Sequence, residues 1–182
     1  CVVLTNDTVT CFGRNNRGQL GQNTTTTENA TPTAVALSAS ASAVSVGNDF
    51  TCAILTTGAV ECFGANGVGQ LGNGTSNSVG NPTPVTVSNI PGSFSVDHLE
   101  VGLYHACAIS TTGGAWCWGY HLNGRLGITA GSSVLQPTAT SSLGGTGRTV
   151  SAGGLHTCVV LTNDTVTCFG RNNRGQLGQN TT

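Results

Sequence analysis

The chain has 182 residues with six arginines, no lysine and seven acidic residues, and its formal net charge is −1 at pH 7. Because nucleic-acid binding depends on basic side chains that neutralise phosphates, this charge balance argues against a nucleic-acid partner. No apolar run reaches the ~20 residues that cross a bilayer, so we expect no membrane span. Glycine, serine, threonine and asparagine dominate the remainder, which is typical of β structure with many turns.

Eight cysteines fall into four pairs with the same C-x9-C spacing, and each pair predicts an antiparallel hairpin. If the cysteines of the second pair face each other, residues 56–58 remain as a three-residue loop. Such a loop needs a left-handed residue at its last position, where Gly58 stands. Gly113 takes this position in the third pair, and Asp7 and Asp164 take it in the first and last. We therefore expect four hairpins of one design.

Facing cysteines on paired strands are close enough to oxidise, so we expect each pair to form a disulfide within its own repeat. Zinc is an alternative, because His105 and His156 each precede a cysteine by two residues, but structural zinc sites usually have shorter cysteine spacings. Free thiols are the third alternative. Disulfides would place the protein outside the cytosol, either secreted or at a cell surface. The expected bonds join Cys1 to Cys11, Cys52 to Cys62, Cys107 to Cys117 and Cys158 to Cys168.

The first cysteines of the pairs recur after 51, 55 and 51 residues, which indicates a tandem repeat. In each repeat an aromatic residue and a glycine follow the second cysteine, and Gly-Gln-Leu-Gly or Gly-Arg-Leu-Gly comes five residues after that glycine. Short apolar or alternating segments between turn residues predict about four strands per repeat and no helix. The repeats span residues 1–51 (beginning in mid-sheet), 52–106 and 107–157, and residues 158–182 start a fourth.

The order G-x-x-H/F-x-C-A-I/V-L-x9-C-F/W-G-x-N-x-x-G-Q-L-G resembles the repeat of the regulator-of-chromosome-condensation family, in an extracellular form with paired cysteines. The resemblance covers the whole chain and implies that each repeat is a four-stranded blade of a β-propeller. Such a small sheet cannot bury both faces alone, so stacking on neighbours is expected on physical grounds as well. We expect an all-β fold of propeller-type four-stranded blades in tandem, about three and a half repeats, open and superhelical rather than a closed ring.

The sequence indicates no catalytic residue, no metal site and no cofactor, and we expect a protein that is not an enzyme. His105 and His156 occupy a position where Phe50 stands in the second repeat, which indicates packing rather than catalysis. Trp116 aligns with polar residues in other repeats and is a candidate exposed contact. The family's nucleotide-exchange and chromatin roles use surfaces that no motif of this chain maps.

Asparagine-linked glycosylation is a further expectation, because six N-x-S/T sequons occur in a chain that we expect to be extracellular. Two of them lie in the loops of the first and last hairpins. In a chain this rich in threonine and asparagine, chance sequons are the alternative. The candidate sites are Asn6, Asn23, Asn29, Asn73, Asn163 and Asn180.

Residues 1–25 and 158–182 are identical at every position, whereas the first and second repeats share thirteen of the same twenty-five. Folding constraints alone do not preserve turn and surface residues, so we expect a unit of 157 residues that restarts at Cys158. This favours a window on a longer array: an extracellular structural protein that forms a fibre or adhesive filament by self-association or chain continuation, with glycans as candidate partners. The alternative is a closed propeller that binds a ligand or protein.

Overall fold

The computed structural model describes residues 1–90, 95–129, 131–141 and 143–180. These residues form an all-β chain with one short 3-10 helix at Leu122–Gly124. The strands are β1 (Val2–Val3), β2 (Val9–Arg14), β3 (Glu28–Ala34), β4 (Ala41–Val46), β5 (Phe50–Leu55), β6 (Val60–Asn66), β7 (Asn77–Thr86), β8 (Val96–Val101), β9 (His105–Ser110), β10 (Ala115–Tyr120), β11 (Ser133–Ala139), β12 (Gly147–Ala152), β13 (His156–Leu161) and β14 (Val166–Gly170).

The strands make four antiparallel sheets in tandem, and consecutive strands pair within each sheet. The second sheet contains β4–β7 and the third contains β8–β11, whereas the first contains β1–β3 and the fourth contains β12–β14. The predicted series of about three and a half four-stranded blades is therefore confirmed. In the last three sheets the first cysteine of the repeat lies on the second strand, so the sequence repeat is offset from the sheet by one strand.

The hairpins have the register that the cysteine spacing predicts. Cys52 pairs with Cys62, and the Leu55 amide donates to the Ala59 carbonyl at 2.8 Å. Gly58 closes the loop with a φ of +83°, a left-handed conformation that glycine adopts at little cost. The hairpins of the third and fourth sheets also place their two cysteines opposite each other. The local design is therefore the same in each of these repeats.

The sheets stack face to face in chain order, with one apolar cluster between each pair of neighbours. Burying one large aliphatic or aromatic side chain contributes about 1.5–3 kcal/mol, so these clusters are the main stabilising contacts. The clusters include Val9, Leu20 and Phe63 between the first and second sheets, Ile54, Leu71 and Trp118 between the second and third, and Ile109, Leu126 and Val159 between the third and fourth.

The first strands of the last three sheets converge at one side of the stack. A Cβ atom at Gly47 would lie 2.6 Å from the Gly102 carbonyl oxygen, and one at Gly102 would lie 2.5 Å from the Gly153 carbonyl oxygen. The backbones approach this closely because those positions carry no side chain. The sheets therefore radiate from a common axis as blades do. Among the described residues, no strand pairing or apolar cluster joins the fourth sheet to the first, so the stack is open.

Candidate interaction surfaces

Side chains alternate between the two faces of each sheet. We call the face toward the next sheet in the chain the forward face and the opposite face the backward face. In the structure the cysteine pairs lie on the forward faces, where disulfides join the residues that the hairpins place opposite each other. The next sheet buries the second and third disulfides completely, whereas the fourth, between Cys158 and Cys168, is half-buried.

Neighbouring sheets meet in the same way at all three contacts, which we call joints. At each joint an aromatic side chain of the later sheet packs on the last glycine of the Gly-x-Leu-Gly turn of the earlier one. A Cβ atom at Gly21 would lie 2.9 Å from the Phe63 ring, and one at Gly72 would lie 2.8 Å from the Trp118 Nε1 atom. At the third joint a Cβ atom at Gly127 would lie 3.0 Å from the Phe169 ring.

Each joint also contains one hydrogen bond to the backbone carbonyl of the second residue of that turn. The Thr51 hydroxyl donates to the Gln19 carbonyl, and the Thr157 hydroxyl donates to the Arg125 carbonyl, both at 2.9 Å. The third sheet has Ala106 at the threonine position and therefore lacks this donor. There the Trp118 indole Nε1–H donates to the Gln70 carbonyl at 2.9 Å instead. Trp118 thus both packs on the turn glycine and donates the hydrogen bond, two roles that a phenylalanine and a threonine share at the other joints.

His105 is a fully buried part of the third joint. Its Nε2 atom lies 2.9 Å from the Thr157 hydroxyl oxygen, and because that hydroxyl already donates to a carbonyl, the histidine is the donor. Its Nδ1 atom is buried without a hydrogen-bond partner. Burial, and next the positive charge of Arg125, lower the pKa of His105 to about 3. The side chain is a neutral packing residue, in agreement with the phenylalanine at the same position of the second sheet.

The third repeat carries an arginine where the other turns carry glutamine, and this side chain is buried. Arg125 donates from Nε to the Leu122 carbonyl at 2.9 Å, and its guanidinium lies 5.0 Å from the centre of the Tyr120 ring. Tyr120 in turn meets Tyr104 edge to face, with ring centres 6.3 Å apart. Sequence reasoning did not assign this cluster, although the Gly-Arg-Leu-Gly departure from the repeat marked its position.

The two ends of the stack each present an uncovered sheet face. The first-sheet open face is the backward face of the first sheet and contains Val2, Leu4 and Phe12, all exposed. The fourth-sheet open face is the forward face of the fourth sheet. Its Val166 is 60% exposed, Leu177 is half-buried, and a Cβ atom at Gly178 would meet no described atom within 4 Å.

A cleft of about 370 Å³ lies between the turns that follow β2 and β6 and the loops that precede β5 and β9. It is lined by polar groups of the first two sheets, among them Arg17 and Asp49, and by Tyr104 of the third. Asp49 forms an ion pair with Arg14 at 3.4 Å, and the Arg17 guanidinium donates to the Ser78 carbonyl at 2.8 Å. Residue 65, where the first repeat has Arg14, is an alanine that lines the cleft.

The remaining predicted site residues are dispersed over the surface. Asn6, Asn23 and Asn163 are exposed, and each lies in a turn or loop. Asn29 is half-buried, and its side-chain amide donates to the Gln22 side-chain oxygen at 2.8 Å. Asn73 is half-buried and Asn180 is exposed, with the sequon threonine of Asn180 outside the described residues. Trp116, the candidate exposed contact, is half-buried.

The described residues contain no group of three or more histidine, cysteine, aspartate or glutamate side chains that could hold a metal ion. In the same residues, no helix has the length and apolar character needed to span a membrane.

Stacked antiparallel sheets that radiate from one axis define a β-propeller-type repeat protein. The family model for the regulator of chromosome condensation (RCC1) repeat matches residues 6–54 and 57–109, which is more than half of the chain. A second model of the same repeat matches residues 41–70, 96–125 and 148–176. The chain belongs to the RCC1 repeat family.

Two curated relatives are similar over nearly all of this chain but are much longer. The chain is 30% identical over 179 residues to the probable E3 ubiquitin-protein ligase HERC6 of Homo sapiens, covering 97% of this chain and 17% of HERC6. It is 28% identical over 180 residues to the ultraviolet-B receptor UVR8 of Arabidopsis thaliana, covering 97% of this chain and 40% of UVR8. The chain thus spans less than half of either relative.

The solved structure of Prp20p from Saccharomyces cerevisiae superposes with a TM-score of 0.80 at 22% identity, covering 95% of this chain and 43% of Prp20p. At that level of identity the likeness shows the fold alone. The description of that structure concerns the binding of Prp20p to Gsp1p and histones.

Proposed function

We propose that this chain is a non-enzymatic structural protein, a segment of a tandem blade array that builds an extracellular fibre or adhesive filament. The observation that carries the proposal is the identity of residues 1–25 and 158–182. Identity that includes exposed residues such as Asn6 and Arg14 means that the segment was copied as a unit, beyond what the fold requires. Copying a unit of blades extends a stack without a new kind of interface.

The geometry of the joints supports the same proposal. All three joints use an aromatic side chain on a turn glycine and one buried hydrogen bond, although the side chains differ from joint to joint. A contact that tolerates such exchange can be used repeatedly along an array. A heterologous contact that repeats without closing generates a filament.

Electron microscopy of the purified chain, and of a longer chain that repeats the 157-residue unit, tests this proposal. Oxidising conditions should be used so that the cysteine pairs can form disulfides. We expect continuous filaments with a repeat that matches three blades. Discrete rings in both samples would contradict the fibre and favour a closed propeller.

An extracellular location belongs to the same proposal and is motivated by the disulfides, which persist in oxidising compartments. N-linked glycosylation is a further part of this proposal. We expect N-linked glycans on Asn6 and Asn163, which are exposed in hairpin loops, but not on Asn29, whose amide nitrogen is engaged in a hydrogen bond. Intact-mass measurement before and after deglycosylation, with Asn6→Gln and Asn29→Gln as a matched pair, checks this. An unchanged mass would remove the glycan proposal and leave the fibre proposal standing.

A second candidate function is protein binding by a propeller surface, and the cleft favours it. Tyrosine and arginine are enriched at the energetic centres of protein interfaces, and this cleft presents Tyr104 and Arg17 beside the Asp49 carboxylate. Purified Gsp1p and histones are suitable probes, since the description of Prp20p names them. If the cleft binds either one, Tyr104→Ala should weaken the complex about tenfold, whereas the exposed Leu122→Ala should not. Absence of binding to both probes would count against this candidate.

A further inference from the structure

We propose that the cleft beside Tyr104 binds an acidic side chain of a protein partner, with Gln70 and Arg17 donating hydrogen bonds to its carboxylate. The inference rests on the protein-binding candidate described above and deepens it, because it names the chemical group that the cleft takes. The cleft lies on the forward side of the first sheet, among the loops of three successive sheets, so a repeat stacked on either end sheet would not fill it.

The equivalent glutamine of the first repeat shows what this side chain does when its partners are present. Gln19 and Gln70 both stand second in the Gly-Gln-Leu-Gly turn, and each side-chain oxygen accepts from the backbone amide two residues earlier at 2.9 Å. The Gln19 Nε2 atom donates to Asp49 Oδ1 at 3.3 Å and to Asn16 Oδ1 at 3.4 Å. The nitrogen end of this glutamine therefore connects its own turn with the next sheet.

Both of these acceptors are replaced around Gln70. Gly67 stands where the first repeat has Asn16, and Tyr104 of the third sheet stands where the second sheet has Asp49. Gln70 is 5% exposed and lines the cleft, and its Nε2 atom has no hydrogen-bond partner among the described residues. This atom is not fully enclosed by protein and so reaches the cleft. Because a nearly buried donor without a partner costs free energy, a ligand that supplies an acceptor is favoured.

The other unpaired donors of the cleft belong to Arg17. Its Nη1 atom donates to a backbone carbonyl of β7, whereas its Nε and Nη2 atoms have no partner among the residues that the structure describes. The one carboxylate of the lining, Asp49, already contacts donors on Arg14, Gln19 and Asn48. The nitrogen groups left free in the cleft are therefore donors, and two arginines stand near a single carboxylate.

These groups match a carboxylate on a carbon chain. Each carboxylate oxygen accepts more than one hydrogen bond, and a guanidinium or amide that donates to it makes a charge-assisted bond. The Tyr104 ring is 41% exposed and lines the cleft, so it offers an apolar face to the methylene groups of a glutamate side chain. The volume of about 370 Å³ exceeds what an inorganic anion fills and accommodates such a side chain with its backbone.

Two substitutions remove the proposed donors with little change in shape. Gln70→Glu keeps an oxygen for the Val68 amide and replaces the Nε2 donor by a carboxylate oxygen that repels the ligand. Arg17→Gln removes the guanidinium of an exposed residue, which leaves the core intact. Arg148→Gln is the matched control, because it removes the same charge from an exposed side chain on β12 that does not line the cleft. Denaturant unfolding checks that each variant is folded.

The probe is an acetylated, fluorescently labelled peptide with three glutamates separated by glycine and serine, and a second peptide carries glutamine at the same three places. Fluorescence anisotropy with the full chain at low salt gives the affinities. We expect the glutamate peptide to bind at least about tenfold more tightly than the glutamine peptide, and Gln70→Glu and Arg17→Gln each to weaken it at least about tenfold. Arg148→Gln should bind the glutamate peptide like the wild type.

Nuclear magnetic resonance of the nitrogen-15-labelled chain locates the contact. The side-chain amide signal of Gln70, assigned by its absence in Gln70→Glu, should shift when the glutamate peptide is added. Equal binding of the two peptides, or binding that leaves this signal in place, would overturn the inference. Inorganic phosphate is titrated in parallel, and a shift with phosphate but not with the glutamate peptide would assign a free anion and overturn the protein carboxylate.

These outcomes are distinguishable from failure of the protein-binding candidate. A protein probe that is weakened by Tyr104→Ala but not by Gln70→Glu would keep that candidate and overturn the carboxylate contact. Binding of the glutamate peptide as expected, without binding of Gsp1p or histones, would keep this inference and exclude those two proteins as partners.

Discussion

Residues 1–25 and 158–182 have the same sequence, yet they are buried on opposite faces. The first copy covers its forward face against the second sheet and exposes Phe12, whereas the second copy covers its backward face against the third sheet and exposes Val166. The hairpin, its turn and the positive φ of the aspartate in the loop, +61° at Asp7 and +62° at Asp164, are alike in both. The difference shows that the local sequence determines the shape of the sheet and that the neighbouring sheet determines which residues form the core.

The largest expected effect comes from truncating the equivalent leucine in each of the two identical segments, Leu20 and Leu177. Leu20 is buried in the first apolar cluster, so we expect Leu20→Ala to lower the free energy of unfolding by about 2–5 kcal/mol through lost burial and a cavity. Leu177→Ala should cost less than about 1 kcal/mol, because Leu177 is half-buried and no sheet covers it. Denaturant unfolding of both variants measures the difference. Equal losses would mean that the fourth-sheet face is covered in solution, and repetition at high dilution would then show whether a second copy covers it.

The next test compares equivalent positions of the third and second sheets, which carry His105 and Phe50. Burial lowers the pKa of His105 in the folded chain from 6.5 to about 3, so in that window the unfolded chain binds more protons than the folded chain. Above pH 6.5 His105 is neutral in both states and does not lower the free energy of unfolding. Between pH 6.5 and about pH 3 the free energy of unfolding falls by about 1.4 kcal/mol for each unit that the pH drops.

His105→Phe should remove this part of the acid sensitivity, because Phe50 fills the same position without a titratable group. The measurement is the free energy of unfolding between pH 7 and pH 4 for the wild type and the variant. The variant also loses the hydrogen bond to Thr157, so its stability at pH 7 is expected to be lower while its slope with pH is smaller. Parallel slopes would contradict the assignment of the acid sensitivity to His105.

A smaller effect is expected from the second joint, where one tryptophan replaces the threonine and phenylalanine of the other joints. Trp118→Phe leaves the Gln70 carbonyl without its indole donor and should cost about 1–3 kcal/mol. Adding Ala106→Thr supplies the hydroxyl that Thr51 and Thr157 supply at the other joints and should restore about 1 kcal/mol.

A double-mutant cycle with Ala106→Thr alone as the second single variant isolates the coupling between positions 106 and 118. We expect Ala106→Thr to be neutral or destabilising in the wild-type background, where the carbonyl is already bonded. Additive effects of the two substitutions would show that the joints do not share one hydrogen-bond position.

The smallest expected effect is a difference in reduction rate between a disulfide that a neighbouring sheet covers and one that no described sheet covers. Thiol–disulfide exchange requires access to a sulfur atom. The bond between Cys158 and Cys168 is half-buried, whereas the bond between Cys52 and Cys62 is fully buried by the third sheet. Mild reduction followed by alkylation and peptide mapping should modify the fourth pair about tenfold faster than the second.

The same peptide map of the unreduced chain tests the predicted pairing within each repeat. Unmodified cysteines and peptides linked within single repeats are the expected result. Links between repeats would contradict the local pairing, and equal reduction rates would mean that the fourth-sheet face is covered.

The sequence predicted the fold class and hairpins because these depend on local patterns. The C-x9-C spacing and a glycine or aspartate at the last loop position fix which residues face each other, and that register is observed. The packing role of the histidine at position 105 also followed from the phenylalanine in the equivalent repeat. The disulfides, the glycans and the extracellular location stay predictions for the experiments above.

The donors at the joints could not be predicted, because they connect residues that are about thirty to fifty positions apart, such as Trp118 with Gln70. Nothing in the local sequence indicates that a tryptophan will take over a bond that a threonine makes elsewhere. Alignment of the repeats gives the one available signal, since Ala106 and Trp118 depart from the pattern in the same repeat.

By itself the sequence determined a tandem of short antiparallel sheets, their hairpin register, the repeat length and the identity of two segments. Only the tertiary structure decided that identical segments present opposite open faces, that Arg125 is buried beside Tyr120, and that a cleft opens beside Tyr104. The physical reason is that register and turns depend on residues within one hairpin, whereas burial depends on the sheet stacked next to it. That neighbour lies a whole repeat away in the chain, and for the two end sheets it is present on one face alone.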